Sequence, residues 1–129
     1  MNVPANLKFT ESNEWVNLEG NTATIGISDY AQDQLSDIVF AEVIVSEADQ
    51  IKKGDTIATI ESVKAAADVY TPVSGKVIKV NEALGGTPEK INTDPYGAAW
   101  IIKVELSDPG EVNNLMSASD YEKFIQSQQ

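Results

Sequence analysis

From Trp15 to Leu106 this chain is written in short β-branched runs cut by Gly, Pro, Asn and Asp. Such runs suit a pleated surface and their punctuation turns the backbone, so a mainly β architecture follows. EWVNLEGNTATIGI reads as a hairpin. Trp15, Val16 and Leu18 form one arm, Glu19-Gly20-Asn21 turns, and Thr22 to Ile27 returns. IVFAEVIV reads as one apolar strand and AWIIKVEL as another. A Gly54-Asp55 turn leads into a strand from Thr56 to Glu61, and Gly75 into one from Lys76 to Val80. Pro72 lacks an N–H and belongs at an edge or turn. EALGGTPEKINTDPYG reads as loop and turn.

Two segments change period. In SDYAQDQLSD, Tyr30, Ala31, Gln34 and Leu35 recur at helical spacing behind Ser28 or Asp29 as cap. Near the C-terminus Val112, Leu115 and Met116, then Tyr121, Phe124 and Ile125, do the same with a break near Ser117; Ser119 or Asp120 can cap the last helix. GDTIATIES and SGKVIKVNE echo one another, which suggests two quasi-equivalent halves. The expectation is one domain over residues 1–129, a flattened β-barrel or sandwich with short helices, one of them C-terminal.

A chain of 129 residues buries a sizeable core without disulfides, and this one has no cysteine to form them. The net charge is −11, from nine basic and twenty acidic residues, and none of the basic residues is arginine. Nucleic-acid phosphates and anionic membrane surfaces both need clustered cations, so neither is an expected partner. MNVPANLKF has no apolar run of the length that a signal peptide or a membrane span requires. The cytoplasm, or an organelle matrix for a mature imported form, is the expected compartment.

With neither cysteine nor histidine, thiolate chemistry and imidazole acid–base chemistry are absent. IESVKAAAD is then the segment that most asks for a purpose. Lys64 falls at or near a hairpin tip between Glu61 and Asp68, followed by Ala65, Ala66 and Ala67. Most such lysines are simply solvated surface residues. A Schiff-base lysine needs a desolvated pocket, the reverse of a turn flanked by acids. A third reading is a modification site. An acylating enzyme needs an exposed lysine on a defined turn with small neighbours, and these residues fit. GGTP lacks the glycines and flanking elements of a phosphate cradle, and Glu47 with Asp49 does not make an EF-hand. Trp15 and Trp100 read as packing residues.

ESVKAAAD resembles the lipoyl-attachment turn of the glycine cleavage system H proteins. LKFTESNEWV is similar to that family's opening and TATIGISDYAQDQLSDIVFAEV to its next stretch. PVSGKVIKVNEAL resembles the strand after the lysine, INTDPYGAAWIIKV the late signature, and SDYEKFI the closing helix. The likeness covers essentially the whole chain in the right order. It implies a non-catalytic carrier of the lipoyl/biotinyl type, with lipoate in amide linkage on Lys64.

The resemblance also implies the partners. In the family, a pyridoxal-phosphate glycine decarboxylase loads the arm with an aminomethyl group. An aminomethyltransferase passes the one-carbon unit to tetrahydrofolate, and dihydrolipoamide dehydrogenase reoxidises the arm. A lipoate ligase or lipoyltransferase attaches the cofactor. The loaded arm is stored in a surface cleft, and Ser12, Glu14 and Asp68 match the cleft positions. Glu14 and Asp68 would face the ammonium, with Ser12 as a hydrogen-bond partner.

The chain departs from the family pattern in several places. Asn13 stands where histidine is frequent before Glu-Trp, and Tyr30 and Gln34 stand where other histidines occur. Ser36-Asp37 replaces Gly-Asp, and Glu42-Val43-Ile44 replaces Glu-Leu-Pro. An alternative within the same resemblance is an H-like relay that hands lipoate to other carriers. Val63 and Ala65 disfavour a biotin carrier, which has methionines beside its lysine. Val63 likewise disfavours a 2-oxo-acid dehydrogenase lipoyl domain, which has an acid there.

Overall fold

The computed structural model describes residues 2–128. Ten strands form two antiparallel sheets. The larger has seven strands, in the order β10 (Met116–Ser117), β1 (Lys8–Phe9), β2 (Glu14–Glu19), β3 (Thr22–Ile27), β9 (Ile102–Leu106), β8 (Gly75–Val80) and β5 (Gln50–Ile51). The smaller has three: β4 (Ile38–Val43), β6 (Thr56–Ser62) and β7 (Ala66–Tyr70). Three α-helices accompany them: α1 (Asp29–Leu35), α2 (Lys90–Thr93) and α3 (Ala118–Ser127).

The expected hairpin is present, with Trp15 opposite Gly26 and Val16 opposite Ile25, and Gly20 adopts the left-handed φ of +61° its turn needs. The two echoing segments became β6 and β8, which lie in different sheets. Alternation along the strands sends Val16, Ile25, Ile60, Val77, Ile102 and Val104 into one shared core, and an irregularity between Thr56 and Ala58 lets Ile57 join them. Of barrel and sandwich, the sandwich holds. The larger sheet ends in β10 and β5, strands of two residues each, so hydrogen bonding does not run on into a closed ring.

A second apolar cluster caps one end. Leu7, Phe9, Trp15 and Tyr30 meet Ala118, Tyr121 and Ile125 of α3. Phe9 stacks on Tyr121 at 4.4 Å between ring centroids, and β1 pairs with β10, so the N-terminal segment and the C-terminal helix are held together.

Several boundaries moved. Ser117, not Ser119 or Asp120, caps α3; its hydroxyl accepts from the Asp120 N–H. Ser28 caps α1 in the same way, through Ala31. The Val112–Met116 spacing yields a 3-10 turn, Pro109–Asn114, and then β10, because Pro109 opens the turn and Leu115 is extended. The segment read as loop contains a 3-10 turn, Glu82–Gly85, and α2. Ile91 in α2 is fully buried and the Asn92 side chain accepts from the Ile38 N–H, so burial orders what turn-rich composition suggested was irregular. No helix among the described residues is long and apolar enough to cross a membrane.

Candidate functional site

Strands β6 and β7 form a hairpin with Lys64 at its tip. The turn is tighter than the span from Glu61 to Asp68 suggested, because β6 runs to Ser62 and β7 begins at Ala66. Ala66 pairs with Glu61, Ala67 with Ile60, and Asp68 with Thr59. Asp68 is therefore a strand residue.

Ser62 builds the turn. Its hydroxyl accepts from the N–H groups of Lys64 (3.3 Å) and Ala65 (3.0 Å) and donates to the Ala65 carbonyl at 3.1 Å. The Ser62 N–H also donates to that carbonyl, at 2.7 Å. Val63 N–H donates to the Asp37 carbonyl at 3.0 Å, which clips the tip to the chain entering β4. Lys64 is exposed on this braced turn, and Ala65 and Ala66 beside it are exposed as well.

Ser12, Glu14 and Asp68 line one cavity of about 200 Å³. Its other walls are Asn13, Ile27, Ala31, Gln34, Leu35, Ile60, Ala67 and Val69. Lys64 lies outside this lining, but Ile60 and Asp68 flank it at equal separation along the hairpin. The cavity joins aliphatic walls from β3, β6 and α1 to two carboxylates. That donor set fits an apolar chain ending in a cationic head.

Glu14 opens β2 and is only 2 % exposed. Its Oε1 accepts from Thr10 Oγ1 at 2.6 Å and Ser12 Oγ at 2.9 Å, and its Oε2 from the Tyr70 N–H at 3.4 Å. Burial pushes the carboxyl above its ordinary value of 4.5, and these hydrogen bonds oppose that rise without cancelling it. Glu14 also borders a second cavity, of about 310 Å³, shared with Lys53, Tyr70 and Met116.

The raised value makes a stability prediction. A group that holds its proton more tightly when folded loses stability as pH climbs from 4.5 through the folded pKa. Glutamine does not titrate. Its amide mispairs with one donor around it at a cost that is the same at every pH. The unfolding midpoint of Glu14→Gln should therefore rise relative to wild type across that window and run parallel to it above. Urea melts at pH 4 and pH 7 check this, and a constant gap between the two proteins would refute it.

Thr10, the Tyr70 N–H and Ile60 were not singled out from the sequence, and Ala31 and Leu35 were read only as one face of a helix. Thr10, Ser12 and Glu14 alternate, a spacing that hints at a shared face. The Tyr70 contact joins β7 to the start of β2, far apart in sequence, and no local signal announces it. Trp100, read as packing, is half-buried with the Lys79 and Lys103 ammonium groups 5.9 and 5.6 Å from its ring centroid.

Comparison with known proteins shows the family. A family model described as "Glycine cleavage H-protein" matches residues 7–128. The chain is 50% identical over 125 residues to a glycine cleavage system H protein of Staphylococcus haemolyticus, covering 97% of this chain and 98% of that one. It is 52% identical over 126 residues to the one from Coprothermobacter proteolyticus, covering 97% and 98%. The crystal structure of a glycine cleavage system H protein from Mycobacterium marinum superposes with a TM-score of 0.85 at 29% identity, covering 98% of this chain and all of that one. With a braced lysine hairpin, an acid-lined cavity at its flank and a match that runs almost end to end, the chain belongs to the glycine cleavage H-protein family.

Proposed function

We propose that this chain carries lipoate in amide linkage on Lys64 and moves the aminomethyl group of glycine between the enzymes of the glycine cleavage system. One observation carries the reading. An exposed lysine sits on a rigid hairpin tip whose own strands also line a cavity that is apolar along its walls and acidic at one side. The lipoyl group, when bound, supplies a disulfide that takes up a one-carbon unit together with two electrons.

The chain's residues do the rest. Ser62 and the clip to Asp37 fix the pivot, so that a partner enzyme meets Lys64 in one presentation. Ile27, Leu35 and Ile60 exclude water along the cavity. Glu14 and Asp68 hold a cationic head there, and its arrival offsets the burial that raises the Glu14 carboxyl. Ser12 keeps the Glu14 carboxylate aimed by donating to Oε1. No imidazole is present anywhere in the chain to act as a mobile base.

The carrier itself performs no catalysis. Its partners are glycine decarboxylase, the aminomethyltransferase, dihydrolipoamide dehydrogenase and the ligase or lipoyltransferase that loads Lys64. The bacterial origin of the relatives named above supports the cytoplasm as the meeting place. Residues 1–129 act as one carrier domain, a reading supported by the pairing of β1 with β10.

The test is exchange of labelled bicarbonate into the carboxyl of glycine by a glycine decarboxylase. Addition of the lipoylated protein should stimulate exchange, and the Lys64→Arg protein should not. Lipoylation without any stimulation, in the presence of transfer to a second acceptor, would identify a lipoyl relay instead.

A further inference from the structure

Both walls of the acid-lined cavity are tied to a single side chain outside it, and the tie has a direction. Tyr121 OH donates to Asn13 Oδ1 at 2.9 Å and lies 2.6 Å from Ser28 Oγ. A phenol has one proton, and Asn13 Oδ1 only accepts. Tyr121 must therefore receive the Ser28 proton, while Ser28 Oγ in turn accepts from the Ala31 N–H at 3.1 Å. The result is a one-way relay from Ala31 N–H through Ser28 and Tyr121 to Asn13.

The ends of this relay are the cavity's walls. Ala31 belongs to α1, which contributes Gln34 and Leu35 to the lining. Asn13 sits between Ser12 and Glu14 and holds a left-handed φ of +72°, a conformation that asparagine tolerates better than most residues but that still needs support. The Ser28 N–H donates to the Asn13 carbonyl at 2.9 Å, so the backbone closes the same loop. Tyr121 and Ser28 are fully buried, which shields the bond between them from water. The Tyr121 ring lies stacked on Phe9, which fixes where its hydroxyl points.

We propose that Tyr121 of the C-terminal helix is a positioning residue for the cavity. Through Asn13 it sets where Ser12 and Glu14 stand, and through Ser28 it sets α1 against them. The tie rests on geometry alone. Its consequence for a stored cationic group rests on the carrier reading above.

Tyr121→Phe removes the hydroxyl and keeps the stacked ring. Phe124→Ala weakens the packing of the same helix, including the stack on Tyr121 at 6.4 Å, and leaves every hydrogen-bonding group of the relay in place. Amide hydrogen exchange on the unlipoylated proteins is the first readout. In Tyr121→Phe the Asn13 and Ala31 amides should exchange about ten-fold faster, the scale of one or two lost buried hydrogen bonds. The Ala65 amide, held by Ser62, should be unchanged. Phe124→Ala should loosen α3 amides first and not reproduce this pattern. The second readout uses lipoylated protein. Loss of the aminomethyl group from the loaded arm should be several-fold faster in Tyr121→Phe, with the rate of lipoate attachment as in wild type. Unchanged exchange at Asn13 and Ala31 would overturn the tie, as would equal effects of both variants. Faster exchange with an unchanged loss rate in a protein that accepts lipoate would overturn the positioning role. A wild type that accepts no lipoate would instead remove the carrier reading, and the exchange data would still decide whether the tie exists.

Discussion

Lys64→Arg is expected to show no gain in intact mass after incubation with lipoate, ATP and a lipoate ligase, where wild type gains one lipoyl amide. Arginine keeps the positive charge and the exposed turn. Its guanidinium stays protonated at neutral pH and offers no nucleophilic amine. The residue is exposed and its side chain supports none of the turn's hydrogen bonds, which come from Ser62 and the backbone. Unfolding should therefore shift by no more than about 0.5 kcal/mol, the range for surface substitutions. The variant isolates chemistry from folding. A gain that persists in Lys64→Arg would place the acceptor on another lysine, and the hairpin tip would lose its assigned role.

The largest structural effect is expected at Trp15. Its indole lies flat over Gly26, so close that a Cβ on that glycine would stand 2.6 Å from the ring. Its Nε1–H donates to the Pro95 carbonyl at 3.0 Å, and its ring packs against Tyr96. Trp15→Ala opens a cavity between the larger sheet and the cluster under α3, and it strips Pro95 of its donor. Truncation of a buried aromatic costs about 3–5 kcal/mol, against a total for small domains of roughly 5–15 kcal/mol. Denaturant melts should find the variant short of wild type by about 3–5 kcal/mol, at least about a fifth of the whole. Because Trp15 adjoins Glu14 in β2, the Glu14 region should loosen with it. A loss below about 1 kcal/mol would mean that the end cluster packs independently of the sheet.

How much of this was legible in the sequence depends on the range of the forces involved. The Trp15–Ile27 hairpin was legible because alternation and a Glu-Gly-Asn turn are local. The position of the Lys64 tip was legible from the extended runs on either side, but not its tightness, since Ala66 and Ala67 belong to β7. The α3 cap was misassigned because Ser117, Ser119 and Asp120 are all good cap residues, and only the tertiary placement of Met116 and Ser117 against β1 selects among them. α2 was missed because its order comes from Ile91 in the core and Asn92 on the Ile38 backbone, partners that lie far away in the chain.

The site divides along the same line. Ser12, Glu14 and Asp68 were named through a resemblance, and they line one cavity here. Their hydrogen-bonded surroundings were not foreseen. Asn13, noted only as a departure from histidine, turns out to have a strained φ and a buried tyrosine partner. Tyr121 was read only as an apolar face of a helix. Its ring fits that reading, and its hydroxyl shows what periodicity omits.

The sheet edges carry a last consequence. A protein that must leave one enzyme for the next has to avoid adhesion to its own copies. The larger sheet ends in strands of two residues, too short to template another chain. The smaller sheet ends in β4, which is bulged between Ile38 and Phe40 and carries Glu42, and in β7, which carries Asp68. A second copy meets like charge on a chain of net −11 at both edges and irregular pairing at β4, where Val39 and Phe40 remain exposed. Strand length and edge charge thus work against self-association, and on the carrier reading proposed above a traffic of separate encounters would depend on them as much as on Lys64.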